Sequence, residues 1–179
     1  MHKPSYPKLG RNTRTHKKSP PRAKPFWFDS VTGQSYDSKV NERCQYFHSI
    51  LEFKFYCDLK HVLGNDVLII RQYPVLYKPA TDRYSPLYWR VDFCLRINPT
   101  SESIFVEVKG EWLLHDSGAY SEFKHKLQFL EYCNAPVYEN LILVGEKTIR
   151  IDKHIQAIDA DQAIKRIQEK LCQLKPSKN

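Results

Sequence analysis

The chain has no pair of cysteines close enough in sequence to clip a metal or to suggest a disulfide framework: Cys44, Cys57, Cys94, Cys133 and Cys172 are scattered and odd in number. That pattern argues against a secreted disulfide scaffold and a cysteine zinc site, and a reduced cytoplasmic setting is expected. Apolar runs long enough to span a bilayer are missing too, and the amino terminus lacks the apolar stretch of a signal peptide, so neither membrane insertion nor secretion is expected. There is no glycine-rich phosphate loop and no Ser-His-Asp pattern. His48, His61, His115, His125 and His154 stand at no ligand spacing and read as structural or surface residues.

Acidic residues are absent from the first 25 positions, which carry Lys3, Lys8, Arg11, Arg14, Lys17, Lys18, Arg22 and Lys24. Those cations account for the whole formal net charge of +8, because the remaining Lys and Arg balance the 20 Asp and Glu of the chain. Pro4, Pro7, Pro20, Pro21 and Pro25 fall in the same stretch and oppose any packed helix or strand there. Residues 1–25 therefore read as a disordered basic arm. Lys17, Lys18, Arg22 and Lys24 are its candidate contacts to nucleic-acid phosphates, where neutralisation releases condensed counterion.

What remains, residues 26–179, is enough for one domain with a real core, and a 41% hydrophobic, 13% aromatic composition is that of a globular protein. After a Phe26-Trp27-Phe28 anchor and a turn at Thr32-Gly33, the spacing of Val40, Cys44, Phe47, Leu51 and Val62 predicts a helix from Ser38 to about Leu63. The period then changes to two. Residues 67–78, 88–98 and 103–109 read as successive strands rich in β-branched and aromatic side chains. A helix follows over 121–133 with Phe123, Leu127 and Leu130 on one face, then a continuous apolar strand at 140–145. A last helix at 161–174 carries Ile164, Ile167, Leu171 and Leu174 as a stripe. The fold class is α/β, with no internal repeat.

The chemistry follows from how the second and third strands must pair. Asn98-Pro99-Thr100-Ser101 is a plausible turn between them, and a hairpin centred there sets Val91 against Val108, Phe93 against Val106 and Leu95 against Ile104. One face becomes apolar, and on the other Asp92 lies across from Glu107, with Lys109 further along the same face. A slip of one residue would break the apolar face. Facing carboxylates raise one another's pKa unless a cation sits between them, and Mg2+ with its preference for hard oxygen ligands is the natural resident, Mn2+ being an alternative. Such a cation stabilises charge on a phosphodiester and activates water, while the Lys109 ammonium positions that water or steadies the transition state. With no metal bound, neutralising either carboxylate should stabilise the fold.

The VDF at 91–93 followed by EVK at 107–109 resembles the signature of the PD-(D/E)XK nuclease superfamily. The pattern is similar to that of phage junction-resolving endonucleases and of the nuclease subunits of Tn7-like transposases. The resemblance implies a restriction-endonuclease-like αβββαβ core with a mixed central sheet over about residues 37–146, followed by a C-terminal helix. It implies a Mg2+-dependent endodeoxyribonuclease, cytoplasmic in a prokaryote or phage-encoded. DNA is the expected partner, and a homodimer is a further candidate assembly. It also implies a metal-binding Glu from the preceding helix, for which Glu42 in SKVNERCQYF is the matching position. The motif's usual proline is Val91 here. Gln128 and Tyr132 resemble the Q-x-x-x-Y element of RecB-like members, and Lys124, Lys126 and Gln128 are candidate nucleic-acid contacts on a helix expected to border the site. A non-cleaving nucleic-acid-binding module is the alternative reading, and an enzyme acting on RNA or another phosphoester a third.

Overall fold

The computed structural model describes residues 24–97, 102–153 and 155–174. The turn at 98–101 and the proposed arm contacts Lys17, Lys18 and Arg22 lie outside those residues, while Lys24 is exposed at their start. Among the described residues no helix is long and apolar enough to cross a membrane.

The first elements are three short strands, β1 (Phe26–Asp29), β2 (Gln34–Tyr36) and β3 (Cys44–Phe47), in an antiparallel sheet with β1 central. The β1–β2 turn closes through Gly33, whose positive φ of 70° suits a residue without Cβ. Buried Asp29 holds the unit together by accepting from the Val31 backbone and from Asn41 Nδ2, and the Asn41 amide foremost draws its carboxyl below the usual range.

The expected helix from Ser38 is therefore corrected: α1 runs only over Ile50–Leu63. The apparent helical spacing upstream had another origin. Cys44 and Phe47 are the inward ends of β3, paired with Asp29 and Phe26, and Val40 is exposed. The helix begins where Ser49 caps it, its hydroxyl accepting from the Glu52 N–H at 3.0 Å, and it ends at Gly64. Phe53 of α1 seats the small sheet, packing against Phe26, Phe28 and Phe47.

The central sheet is mixed, in the order β4 (Val67–Lys78), β5 (Leu87–Ile97), β6 (Ser103–Val108), β7 (Leu141–Val144). The first three strands are antiparallel and β7 is parallel to β6. A 3-10 turn at Glu111–His115, α2 (Ser117–Cys133, capped by Asp116) and the short α3 (Ala135–Glu139) make the crossover. The tiny β8 (Ile149–Arg150) and β9 (Gln156–Ala157) precede α4 (Ala160–Leu174). The molecule is thus α/β with a mixed central sheet and a C-terminal helix.

Helices cover both faces of the sheet. Phe55 and Leu59 of α1 and Ala163, Ile167 and Leu171 of α4 bury against Phe93, Leu95, Ile104, Val106 and Ile142. Phe123, Leu127 and Leu130 of α2 pack on the opposite face against Cys94, Phe105 and Leu143. Truncating any of these large side chains to Ala removes about 2–5 kcal/mol.

The hairpin register runs as expected from Phe93↔Val106 to Arg96↔Ser103. It fails one step further. Val91 and Trp89 pack in the α2 layer, whereas Phe93, Leu95 and Ile97 pack in the α1–α4 layer, so the pleat changes face at Asp92. Val91 does not join Val108, which pairs instead with Val144 of β7. Strands β5 and β6 part at Asp92 and Glu107, where β6 leaves its antiparallel neighbour and follows its parallel one.

Candidate functional site

The parting strands are laced by the two carboxylates themselves. The Asp92 amide donates to Glu107 Oε2 at 3.1 Å, and the Val108 amide donates to Asp92 Oδ2 at 2.8 Å. Each side chain thus satisfies a backbone donor that the opened ladder leaves without a strand partner. Asp92 and Glu107 are 8% and 2% exposed. The ammonium of Lys109 sits 2.5 Å from Glu107 Oε1 and 5.3 Å from the centre of the Phe123 ring. The three residues read from the hairpin are therefore together, although Asp92 and Glu107 meet where the strands part rather than as a paired step of the ladder.

Electrostatics at this point are unbalanced. Burial, then the nearby Glu107 charge, pushes the Asp92 carboxyl well above its ordinary range, and Lys109 only partly offsets this. Burial pulls the Lys109 ammonium downward, but Glu107 and Asp92 outweigh it and raise its pKa, so Lys109 is held as a cation.

Glu42 does not take part. It lies in the turn before β3, its side chain 92% exposed, and pairs with Lys39 at 2.6 Å. The carboxylate that α1 delivers is Glu52, ten residues on and 2% exposed. Its position follows from local chemistry: Ser49 and Glu52 form a Ser-x-x-Glu cap in which the Glu side chain reaches back to the His48 N–H at 2.8 Å. Arg71 on β4 grips it from behind, Nη2 lying 3.2 Å from Glu52 Oε1, while the guanidinium stacks 3.7 Å over Phe47 and donates to the Tyr46 carbonyl. Burial works to raise the Glu52 carboxyl, but His48 and Arg71 prevail and lower it.

Two further residues join from outside the hairpin. His48 Nδ1 lies 3.4 Å from Glu52 Oε2, and that hydrogen bond raises the imidazole pKa. Gln72 of β4 extends its amide between Glu52 and Asp92. Ligand atoms of His48, Glu52 and Asp92 all lie within 4.8 Å of one another. Two buried hard carboxylates beside an imidazole form a donor set suited to a divalent cation, and the desolvated Asp92 charge is what such a cation would neutralise. Glu107 adjoins this trio through Asp92 without being part of it. The signal for Glu52 was in the sequence as the Ser49-Ile50-Leu51-Glu52 cap; Gln72 carried none.

The site opens into a cleft of about 920 Å3 lined by Lys54, Gln72, Tyr88, Arg90, Trp112 and Lys126 among others. Lys54 and Arg90 are exposed and form no ion pair among the described residues. Lys126 reaches the cleft while paired with Glu122 at 2.6 Å. Lys124 is tied to Asp152 at 2.6 Å and does not line the cleft. Gln128 and Tyr132 are exposed on α2 and do not line it either.

No protein-family model matches the chain, and no curated protein is significantly similar to it. The functional reading rests on the site.

Proposed function

We propose that the protein is a metal-dependent endonuclease that hydrolyses phosphodiester bonds in DNA, on a restriction-endonuclease-like core. The observation that carries this reading is the convergence of Asp92, Glu107 and Lys109 from the parted strands with Glu52 from the first turn of α1. The order α1, β4, β5, β6, α2, β7 is also the one implied by the resemblance to PD-(D/E)XK nucleases.

Asp92 and Glu52, with His48, would hold the divalent cation. When bound, that ion supplies Lewis-acid stabilisation of phosphoryl oxygen and a lowered pKa for attacking water. Lys109 keeps its proton, so it serves as a hydrogen-bond donor and positive charge at the reacting phosphate rather than as a general base. Glu107 fixes the Lys109 ammonium on one oxygen and the Asp92 backbone on the other. Lys54 and Arg90, which line the cleft and form no ion pair among the described residues, are suited to flanking phosphates. A module that only binds a polyanion gains nothing from three buried carboxylates facing it, which favours hydrolysis over binding alone.

The test is incubation of purified protein with plasmid, linear and branched DNA in Mg2+, Mn2+ or EDTA. Asp92→Asn, Glu107→Gln and Lys109→Ala should each lower metal-dependent cleavage by about 100-fold or more, comparable to removing a principal electrostatic group, with DNA binding retained. Glu52→Gln should lower it strongly and Glu42→Gln should leave it unchanged. Cleavage by Asp92→Asn at the wild-type rate would refute the assignment.

A further inference from the structure

Gln72 is a strand residue with a φ of +50°, the sole non-glycine residue at positive φ among those described. That conformation is strained for a residue with a Cβ and persists where the surroundings over-determine it. The β4–β5 register shows where the distortion lies: pairing runs through Arg71↔Phe93, passes over Gln72 and Asp92, and resumes at Tyr73↔Val91.

The distortion aims the side chain at the ligand set. Gln72 Nε2 lies 3.1 Å from Asp92 Oδ1, 3.5 Å from Glu52 Oε1 and 3.4 Å from His48 Nδ1. One amide nitrogen thus meets every group of the candidate metal trio, standing where partial positive charge is wanted. The other end of the same amide is a hard, neutral oxygen of the kind Mg2+ and Mn2+ accept. The terminal torsion of Gln is broad, and its two ends are nearly equal in size, so a half-turn exchanges nitrogen for oxygen without moving the backbone. A neutral ligand also adds no charge to a site already crowded with carboxylates.

We propose that Gln72 is a further ligand of the metal centre: its amide donates to Asp92 and Glu52, beside His48, when no cation is present and turns over to coordinate the cation through Oε1. The inference rests on the metal-dependent reading given above and adds a residue to it. It differs from a role as a mere plug, in which the amide would compete with the cation and its removal would tighten binding.

Calorimetric titration of the metal-free protein with Mn2+ separates these cases without recourse to activity. Gln72→Gly and Gln72→Asn both tolerate the left-handed backbone, and neither side chain reaches the trio; a cooperative melt in EDTA confirms that each is folded. Both should bind Mn2+ about 10-fold or more weakly than wild type, in the range expected for loss of a supporting group. Gln72→Glu, which restores an oxygen at the same reach, should bind at least as tightly as wild type. Gly and Asn variants that match or exceed wild-type affinity, or a Glu variant weaker than wild type, would overturn the proposal while leaving the metal centre standing. A wild-type protein that takes up no Mn2+ would overturn both.

Discussion

At the scale of single residues, the paired carboxylates are not equivalent. Asp92 carries charge that burial and Glu107 both oppose, whereas Glu107 is matched to Lys109 at 2.5 Å. The expectation that neutralising either would stabilise the metal-free protein is thereby split. Asp92→Asn should stabilise the protein in EDTA at neutral pH by an amount on the order of 1 kcal/mol and so raise its melting temperature, since it removes a buried charge that Glu107 opposes. Glu107→Gln should destabilise the protein by about 1 kcal/mol and lower the melting temperature, the lost charge-assisted hydrogen bond outweighing the relieved repulsion. The pH dependence follows from the direction of the Asp92 shift. The folded state keeps this proton at a pH where the unfolded chain has released it, so wild-type stability falls as pH rises from about 4, the unfolded carboxyl value, through the raised folded value. The advantage of Asp92→Asn should accordingly be smallest near pH 4 and grow on going to neutral pH. Melts in EDTA across that range check it; an advantage that shrinks with rising pH would contradict the account.

At the scale of elements, the site depends on how the start of α1 is fastened to the sheet. Arg71 reaches from β4 to Glu52, the Tyr46 carbonyl and the face of Phe47, so one side chain ties β3, α1 and β4 together. Arg71→Ala should cost about 3–5 kcal/mol, the range for a broken buried ion pair that leaves a charge uncompensated. In a double-mutant cycle Glu52→Gln should recover part of that cost, and strictly additive effects in denaturant melts would deny the coupling. The same region shows what was legible in the sequence. Asp92, Glu107 and Lys109 were readable because strand alternation and a short turn fix who faces whom across a hairpin. The helical carboxylate was misplaced at Glu42 because Cys44, Phe47 and Leu51 mimic helical spacing although the first two belong to a strand. Phe26 and Asp29, whose pairing with Phe47 and Cys44 decided the matter, are some 15 to 21 positions away in the sequence. His48 and Gln72 join the site only through tertiary packing, which no local period records.

At the scale of the whole molecule, the central sheet locates the chemistry. Antiparallel β4–β5–β6 meets parallel β7 at β6, the strands on either side of Asp92 and Glu107 diverge, and the cleft opens at that divergence. The α/β class, the order of β4, β5, β6, α2, β7 and α4 after α1, and the hydrophobic faces of α2 and α4 were legible in residue periodicity, whereas the short α3, β8 and β9 were not. The three-stranded sheet before α1 was not, because its strands are three or four residues long and too short to display a period. The central claim is that the buried carboxylates of this cleft serve metal-dependent phosphodiester hydrolysis. The measurement that tests it most directly is the cleavage of plasmid DNA by wild-type protein and by Asp92→Asn, side by side, as Mg2+ is titrated from an EDTA baseline. The account predicts nicked or linear product from wild type that rises with Mg2+ and vanishes in EDTA, and intact plasmid with the variant even though it still binds DNA. Intact plasmid with wild type at every Mg2+ concentration, or equal cleavage by the two proteins, would contradict it.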